Sequence, residues 1–313
     1  MYYPQDSSRT SGKGKGGQGK GKGGGGPTKS PSAVDVDPAQ TPTRSPSGIP
    51  SGIPTGTPSD IPSGIPTGAG AGGADCAPVT YDGVTYDVVL IGDQCWTTQN
   101  LRTTKYADGT PIKKGNNGAV WKDDTEGATV FYVNKDDEDT CSTCQALCWY
   151  GRLYNWYAVN NAKGLCAPGW RVPSDQDWTK LETYVKDNGF SGNEGLALRG
   201  NETCHWRDGQ KDPANLGTND FGLTIVGQGF RFDSGPWSDT GAEYGIYWTS
   251  TAASQAGWAF NRFFTWKDIV QGVLYVGAKK NLVNRMSLPV PNSPEGSVKV
   301  NFGLYVRCMK DAN

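Results

Sequence analysis

Three closely spaced cysteines, Cys141, Cys144 and Cys148, could bind a metal ion or exchange disulfides. A structural zinc site needs four ligands, usually as two separated pairs, and the chain contains a single histidine, His205. An even number of cysteines, eight here, instead favours disulfides in an oxidising compartment. We therefore predict disulfides, no metal ion, and an extracellular or cell-surface location. The opening residues contain no apolar stretch typical of a secretory signal, so this location depends on the cysteines alone.

Four consecutive acidic residues, Asp136, Asp137, Glu138 and Asp139, could bind calcium. However, neighbouring carboxylates point in different directions, and their spacing does not match an EF-hand loop. We favour a solvated acidic loop, with calcium binding as the alternative. Neither these residues nor His205 belongs to a recognisable nucleophile and base pattern. The sequence therefore predicts a protein without cofactor that is not an enzyme.

An alternating run near the end of the chain places large aromatic side chains on one face of a predicted strand. Its members are Trp258, Phe260, Phe264 and Trp266, with Arg262 among them. Packing in the core is the simpler interpretation. The alternative is an exposed face that stacks on sugars or contacts a neighbouring subunit.

The first 75 residues differ sharply in composition from the remainder. Residues 1–40 form a Gly/Lys-rich arm, and residues 41–75 a stalk rich in Pro, Ser, Thr and Gly. From Ser47 the stalk repeats as SGIP, SGIP, TGTP, SDIP and SGIP, a proline spacing that favours polyproline II. Such a rod can act as a spacer, be surrounded by a partner or carry sugars. The candidate glycosylation sites are the sequon residue Asn201 and the repeat hydroxyls of Ser47, Ser51, Thr55, Ser59, Ser63 and Thr67.

The Gly/Lys-rich arm cannot bury enough apolar surface to order itself. Its only aromatic residues are Tyr2 and Tyr3. It is either a solvated linker or a basic segment that docks on an acidic partner, such as residues 122–139 of a neighbouring copy. In the second case Tyr2 and Tyr3 would anchor the arm in an apolar groove.

Residues 76–313, here called the head, hold all the tryptophans and cysteines and are long enough for one domain with a core. The apolar spacing of Leu153, Trp156 and Tyr157 predicts a first helix that stops near Gly164. A second helix is predicted to begin at Ser174, as an acidic capping box with Asp177 and a buried stripe of Trp178, Leu181 and Val185, and to end near Gly189.

Strand signals surround these helices and indicate an α+β fold with antiparallel strands and long loops. Asp82-Gly83 between two β-prone runs, Val79–Tyr81 and Val84–Ile91, predicts a hairpin. The chain has no run of about 20 apolar residues, so we expect no membrane span. Its net charge of −1 gives no reason to expect nucleic-acid binding. The other predicted strands are Gly222–Val226, Gly229–Phe232, Ile246–Thr249, Gly257–Trp266, Ile269–Val276 and Val298–Met309.

Several motifs resemble one protein family. YGRLYNWYAV followed by LCAPGWRVPSDQDWTKLE, with YDGVTYDVVLIGDQCWTTQN upstream and YWTSTA and GLYVRCMK downstream, is similar to the Fibrobacter succinogenes major paralogous domain over residues 79–310. The resemblance implies a C-type lectin-like fold and no particular reaction. Since lectin-like domains join the region of a helix to the final strand, it also implies a Cys166–Cys308 disulfide, and Cys76–Cys95 is the second pair that we expect. The motifs of calcium-dependent sugar binding are missing, so that activity is not implied.

Two functional hypotheses follow. The first is a secreted structural protein that assembles with itself as a filament or surface array, its tail ordered by neighbouring subunits or attached glycans. The second is an extracellular module on a glycosylated stalk that binds carbohydrate or a cell-surface ligand.

Overall fold

The computed structural model of the chain describes most of the head. The described residues are 76–132, 150–202, 206, 216–227, 229–238, 243–269, 278–287 and 294–312. The predictions made for the arm, the stalk, the acidic run and the three clustered cysteines lie outside these residues. Within them the fold mixes a few short helices with mainly antiparallel sheets, in agreement with the α+β prediction.

The opening hairpin begins the sheet structure. β1 (Val79–Tyr81) pairs with β2 (Val84–Tyr86) across a turn in which Asp82 and Gly83 have φ angles of 47° and 76°. These left-handed conformations are those of the predicted two-residue turn. The single strand predicted from Val84 to Ile91 is interrupted at Asp87, whose N–H donates to Gln99 Oε1 at 2.8 Å instead of continuing the ladder.

A three-stranded sheet follows, in the order β11–β4–β3. Its central strand β4 (Gln94–Thr97) is buried throughout and lies between β3 (Val88–Ile91) and β11 (Met309–Asp311). The closing strand of the chain therefore lies beside the opening region, and both neighbours of β4 are antiparallel to it.

Two further sheets complete the strand structure. β8 (Tyr244–Ala252), β9 (Trp258–Thr265) and β10 (Ser297–Lys299) are ordered β10–β9–β8 and contain the strands predicted near residues 246 and 257. In the other sheet, β5–β6–β7, the strands β5 and β6 are parallel. The bounds of this sheet are Lys113–Lys114 for β5, Ala128–Val130 for β6 and Leu153–Tyr154 for β7.

Some predicted strands are wrong. Gly222–Val226 and Gly229–Phe232 take part only in isolated bridges, through Ile225 and Arg231. Between β10 and β11 the predicted strand Val298–Met309 is likewise reduced to single bridges, because its central residues Gly303, Leu304 and Tyr305 each pair with a different segment. Most of the predicted strand Ile269–Val276 lies outside the described residues.

The helix predicted from the capping box is confirmed. α3 (Asp175–Val185) begins at Ser174, whose hydroxyl accepts from the Asp177 N–H while the Asp177 carboxylate accepts from the Ser174 N–H. A wider helical turn follows, and Gly189, with φ 98°, ends it in a conformation that suits glycine. The other helices in the described residues are α1 (Gly118–Asp123), α2 (Trp156–Val159) and α4 (Glu194–Leu198).

The first predicted helix is much shorter than expected. Leu153 and Tyr154 belong to β7, where Leu153 pairs with Val130, and only Trp156–Val159 is helical. Asn155 separates the two, because its side chain caps α2 by accepting from the Ala158 N–H. The apolar spacing therefore marks buried positions of a strand and a short helix.

Two adjoining clusters of buried side chains form the core. One contains Trp156, Trp248 and Phe263, and the other Trp96, Trp178 and others from β8, β9 and β11. The Trp96 and Trp178 ring centroids are 4.8 Å apart, which joins α3 to the sheet around β4.

Candidate functional site

Two disulfides fix the two ends of the head. Cys76, the first described residue, is bonded to Cys95 of β4, 19 residues later. Cys308, immediately before β11, is bonded to Cys166 across 142 residues. These are the two pairings expected from the sequence. The first joins the start of the head to β4, and the second joins the residue before β11 to the segment between α2 and α3.

The aromatic residues of β9 do not form the exposed face that was one of the two predictions. Trp258 and Phe264 are buried, and the Phe264 ring lies 6.2 Å from Trp178 in the core. That prediction is therefore wrong for these two residues, because β9 is the central strand of its sheet and α3 packs against this face of it. Phe260 and Trp266 are half-buried, with Arg285 5.5 Å from the Phe260 ring centroid and Lys267 5.0 Å from that of Trp266.

The strand β9 instead presents a buried cation to α3. Arg262 is 1% exposed and forms ion pairs with Asp175 and Glu182. It also donates to the Asp175 carbonyl at 2.9 Å and to Thr179 Oγ1 at 3.1 Å. Burial raises the pKa of the Glu182 carboxyl, and Arg262 opposes that shift. This network fixes α3 on the sheet. No short-range pattern in the sequence predicts it.

A second buried cation lies between two tryptophans. The Arg231 guanidinium is 4.6 Å from the Trp121 ring centroid and 4.7 Å from that of Trp237, and its Nε donates to the Gly235 carbonyl at 2.7 Å. Burial lowers the pKa of Arg231 to about 10. The arrangement is structural, because the side chain is 1% exposed and offers no surface to a ligand.

An open cleft of about 620 Å³ lies among the described residues of the head. Asp124 stabilises the wall of this cleft. Its buried carboxylate accepts hydrogen bonds from the Lys113 ammonium at 3.1 Å, the Asn155 amide at 2.8 Å and the Gly127 N–H at 2.8 Å. These bonds fix the loop between α1 and β6. The cleft is lined by Tyr106, Thr110, Pro111, Lys113, Thr125, Glu126, Gly127, Tyr157, Asn160, Asn161, Ala162 and Lys163.

The lining combines an aromatic ring with amide, hydroxyl and charged groups. The Tyr106 hydroxyl and the Asn161 amide both donate to the Glu126 carbonyl, at 3.4 and 3.2 Å. Burial, with a contribution from Asp124, raises the pKa of Tyr106 to about 12, so its hydroxyl stays a donor. Tyr157 is half-buried and Asn160 is exposed. A half-exposed ring with polar groups around it can stack on a sugar and hydrogen-bond its hydroxyls.

The other predicted sites have different outcomes. Asn201 is exposed, as an acceptor of a glycan must be. Asp136, Asp137, Glu138 and Asp139, Tyr2 and Tyr3, and the stalk hydroxyls lie outside the described residues, as does His205. In the described part of the head, His, Cys, Asp and Glu nowhere form a group of three that could hold a metal ion. Among the same residues, every helix is too short or too polar to cross a membrane.

Comparison with known proteins gives a family. The model of the Fibrobacter succinogenes major domain matches residues 89–310 of the 313. The search of curated proteins and the search of solved structures each found no match. The match spans the opening sheet, the cleft, both long strands and the closing strand. On this match, the chain belongs to the Fibrobacter succinogenes major domain family.

Proposed function

We propose that this protein is a secreted structural subunit that assembles with itself, as a filament or surface array, through contacts between its N-terminal 75 residues and neighbouring heads. The observation that carries the proposal is that a disulfide fixes each end of the head. Cys76, next to the stalk in the sequence, is bonded to Cys95 of β4, and Cys308, beside the closing strand, is bonded to Cys166.

This locking suits a subunit that carries load. Cys76 precedes β1, so a pull on the stalk passes through the Cys76–Cys95 bond to β4 and bypasses the residues between them. The opposite neighbour of β4 is β11, and the Cys166–Cys308 bond prevents it from separating with the chain end. A covalent path from stalk to core is useful to a protein that is held by its stalk.

The disulfides also support an extracellular or cell-surface location, since such bonds persist in oxidising compartments. There the stalk hydroxyls and the exposed Asn201 would be available for glycans. Mass spectrometry of the protein from its native source would detect such modification as added hexose masses on peptides from residues 41–75. If these peptides are unmodified, assembly must depend on contacts between protein residues alone.

Deleting residues 1–68 tests the assembly proposal. We expect the full-length protein to appear in negative-stain images as filaments or arrays, and the deletion variant to remain a folded single particle. Sedimentation should show the same difference. The proposal fails if the full-length protein stays monomeric at high concentration, or if the shortened protein still polymerises.

A second candidate function is carbohydrate binding in the cleft that contains Tyr157. The observation that favours it is the half-exposed Tyr157 ring with amides, hydroxyls and charges around it. Tyr157→Ala should abolish binding of full-length protein to a glycan array. Tyr184→Ala is the matched control, because Tyr184 is 39% exposed and lies outside this cleft. Equal binding by both variants would exclude the cleft.

We further propose that the head has the C-type lectin-like fold that the sequence motifs imply. Two features support it: the closing strand pairs beside the opening sheet, and a disulfide joins Cys166, which lies between α2 and α3, to Cys308. An experimental structure of the head, superposed on lectin-like domains, tests this. A different order of the core strands would refute it.

A further inference from the structure

The outer edge of β3 is unpaired within the described residues and can accept another strand. β3 is the last strand in the order β11–β4–β3, and among the described residues only β4 pairs with it. Its four residues, Val88–Ile91, carry no charge, and Leu90 is 41% exposed. Uncharged apolar edges are usually blocked by lysine, proline or a bulge, because they attract other strands. By contrast, the edge strand β5 consists of two lysines.

Alternate residues of β3 direct their backbone groups toward this edge. The two-residue turn at Gly92-Asp93 makes Ile91 and Gln94 a directly hydrogen-bonded pair, and the Thr98 N–H donates to the Asp87 carbonyl at 2.9 Å. Residues 87, 89 and 91 therefore bond to β4. Val88 and Leu90 direct their N–H and C=O groups away from it. No residue in the described part of the chain bonds to these four groups, so they can pair with a further strand.

The stalk repeat has a one-sided pattern that fits such an edge. All five of its prolines fall at even positions: 50, 54, 58, 62 and 66. The odd positions from 47 to 65 hold only Ser, Thr and Ile, all of which keep their N–H groups. In an extended strand, residues of one parity share both a side-chain face and a hydrogen-bonding edge. The repeat can therefore offer one edge with every donor present, while the missing donors face the other way.

We propose that one four-residue repeat of a neighbouring copy adds to the free edge of β3 as a further strand. This rests on the self-assembly proposed above and specifies the contact that produces it. The odd residues of the repeat would exchange hydrogen bonds with Val88 and Leu90. Directly opposed residues lie on the same face, so an isoleucine of the repeat would pack beside the exposed Leu90 side chain. This is recognition by strand addition.

The composition of the repeat also explains why addition stops at one strand. Glycine, proline and Asp60 occupy the even positions, so they would line the new outer edge. Proline offers no N–H there, and Asp60 adds a charge, and both features block pairing with a further strand. The isoleucines meanwhile lie on the odd, paired side. A sequence with prolines at both odd and even positions would lack N–H donors on both edges of the strand.

The number of repeats identifies the occupant as another copy. Each head offers one edge of four residues, whereas each stalk offers five repeats of four. A stalk that used only its own edge would leave most of its repeats without a role. A stalk that crosses several heads uses them all, and weak single contacts then add through their linkage.

Two full-length variants test the inference. In the first, Leu90→Lys puts a charge on the edge, and Val120→Lys is its control, since Val120 is also exposed, at 36%, and lies in α1. The second variant contains two swaps: Ile53→Pro with Pro54→Ile, and Ile61→Pro with Pro62→Ile. They keep the composition, length and charge of the stalk but place prolines at odd as well as even positions. Thermal melts should show unchanged stability for all of them.

We expect Leu90→Lys to raise the critical concentration for assembly by roughly tenfold or more, because a charge replaces the apolar side chain at the edge. The parity variant should raise it by a similar factor, because each swapped repeat loses one or two backbone hydrogen bonds to β3. Val120→Lys should assemble like the wild type. Amide exchange should show that Val88 and Leu90 become protected only in assembled wild-type protein. Assembly of both variants at the wild-type concentration would overturn the inference while leaving the proposed function intact.

Protection of the Val88 and Leu90 amides in dilute monomer would place the protein's own stalk on the edge and overturn the contact between copies. A wild-type protein that never assembles would refute the proposed function itself, and this inference with it. The three failures are therefore distinguishable in one set of measurements.

Discussion

Removing the Cys166–Cys308 disulfide should destabilise the head more than any change at its surface. The bond closes a loop of 142 residues, so its loss returns to the unfolded chain the entropy of that closure. The chain-entropy relation gives about 17 cal/mol/K, or about 5 kcal/mol at 25 °C. That is comparable to the whole stability of many domains. The double variant Cys166→Ala/Cys308→Ala should therefore unfold near the lower limit of measurable denaturant concentration.

The second disulfide provides the matched control. Cys76 and Cys95 are separated by 19 residues, and the same relation gives about 3.2 kcal/mol for their bond. All four sulfurs belong to buried residues, so the packing lost on substitution with alanine is similar in both double variants. The difference between the two, about 1.8 kcal/mol, isolates the effect of loop length.

Urea unfolding of the oxidised proteins, followed by tryptophan fluorescence, measures both free energies. The wild type and the two double variants should have similar slopes, since the same core unfolds in each. If Cys76→Ala/Cys95→Ala lost as much stability as Cys166→Ala/Cys308→Ala, or more, the reasoning from loop length would be refuted. The stabilisation would then have to come from interactions in the folded state.

Three further predictions concern single side chains. Arg262→Met should cost about 1–3 kcal/mol, because the partly buried Glu182 loses its ion pair while Asp175 keeps the one with Arg285. Adding Glu182→Gln should recover part of this loss in urea unfolding, and a neutral effect of Arg262→Met would contradict the prediction. Burial raises the pKa of Tyr86 from 10.0 to about 12, so the stability that it contributes is present below pH 10 and is lost as the pH rises through 12, by about 3 kcal/mol. Unfolding at pH 9 and pH 12 should show this component disappear in Tyr86→Phe, and an unchanged pH dependence would count against it. Ser174→Ala should lower the stability by about 1 kcal/mol, because the helix cap is lost, whereas Ser174→Asp should keep most of the capping stabilisation. Thermal melts measure both variants, and equal losses of stability would exclude capping as the cause.

Short-range chemistry was predictable from the sequence. Ser174 and Asp177 are three residues apart, so their reciprocal bonds are decided within one turn of helix. The turn at Asp82-Gly83 is equally local, because the backbone angles that it needs restrict its residues. The long alternating run of β9 likewise indicated a strand from its own pattern. Each of these features depends on neighbours along the chain.

Long-range partners were not predictable in the same way. The spacing of Leu153 fits a helix, yet this residue pairs with Val130 in a strand, because the partner strand decides its conformation. Arg262 reaches Asp175 across 87 positions in the sequence, and nothing near either residue indicates the pair. The same holds for Arg231 and Trp121, which come from segments far apart in the sequence. Buried arginine is uncommon, so composition favours the surface for such residues.

The disulfides and the uncovered edge of β3 are two parts of one arrangement. An outer strand with a neighbour on one side only would fray, and a frayed edge would have to be ordered again before a second copy could bind. Leu90 lies directly opposite Cys95, and the bond from Cys95 to Cys76 holds β4 at that position. On the other side of β4, Met309 pairs with Trp96, next to the second disulfide at Cys308. β4, which supports this edge, is therefore ordered when the head folds. No further conformational entropy is lost in ordering it when a second copy binds. On this argument, opening the Cys76–Cys95 bond should weaken assembly even where the head remains folded.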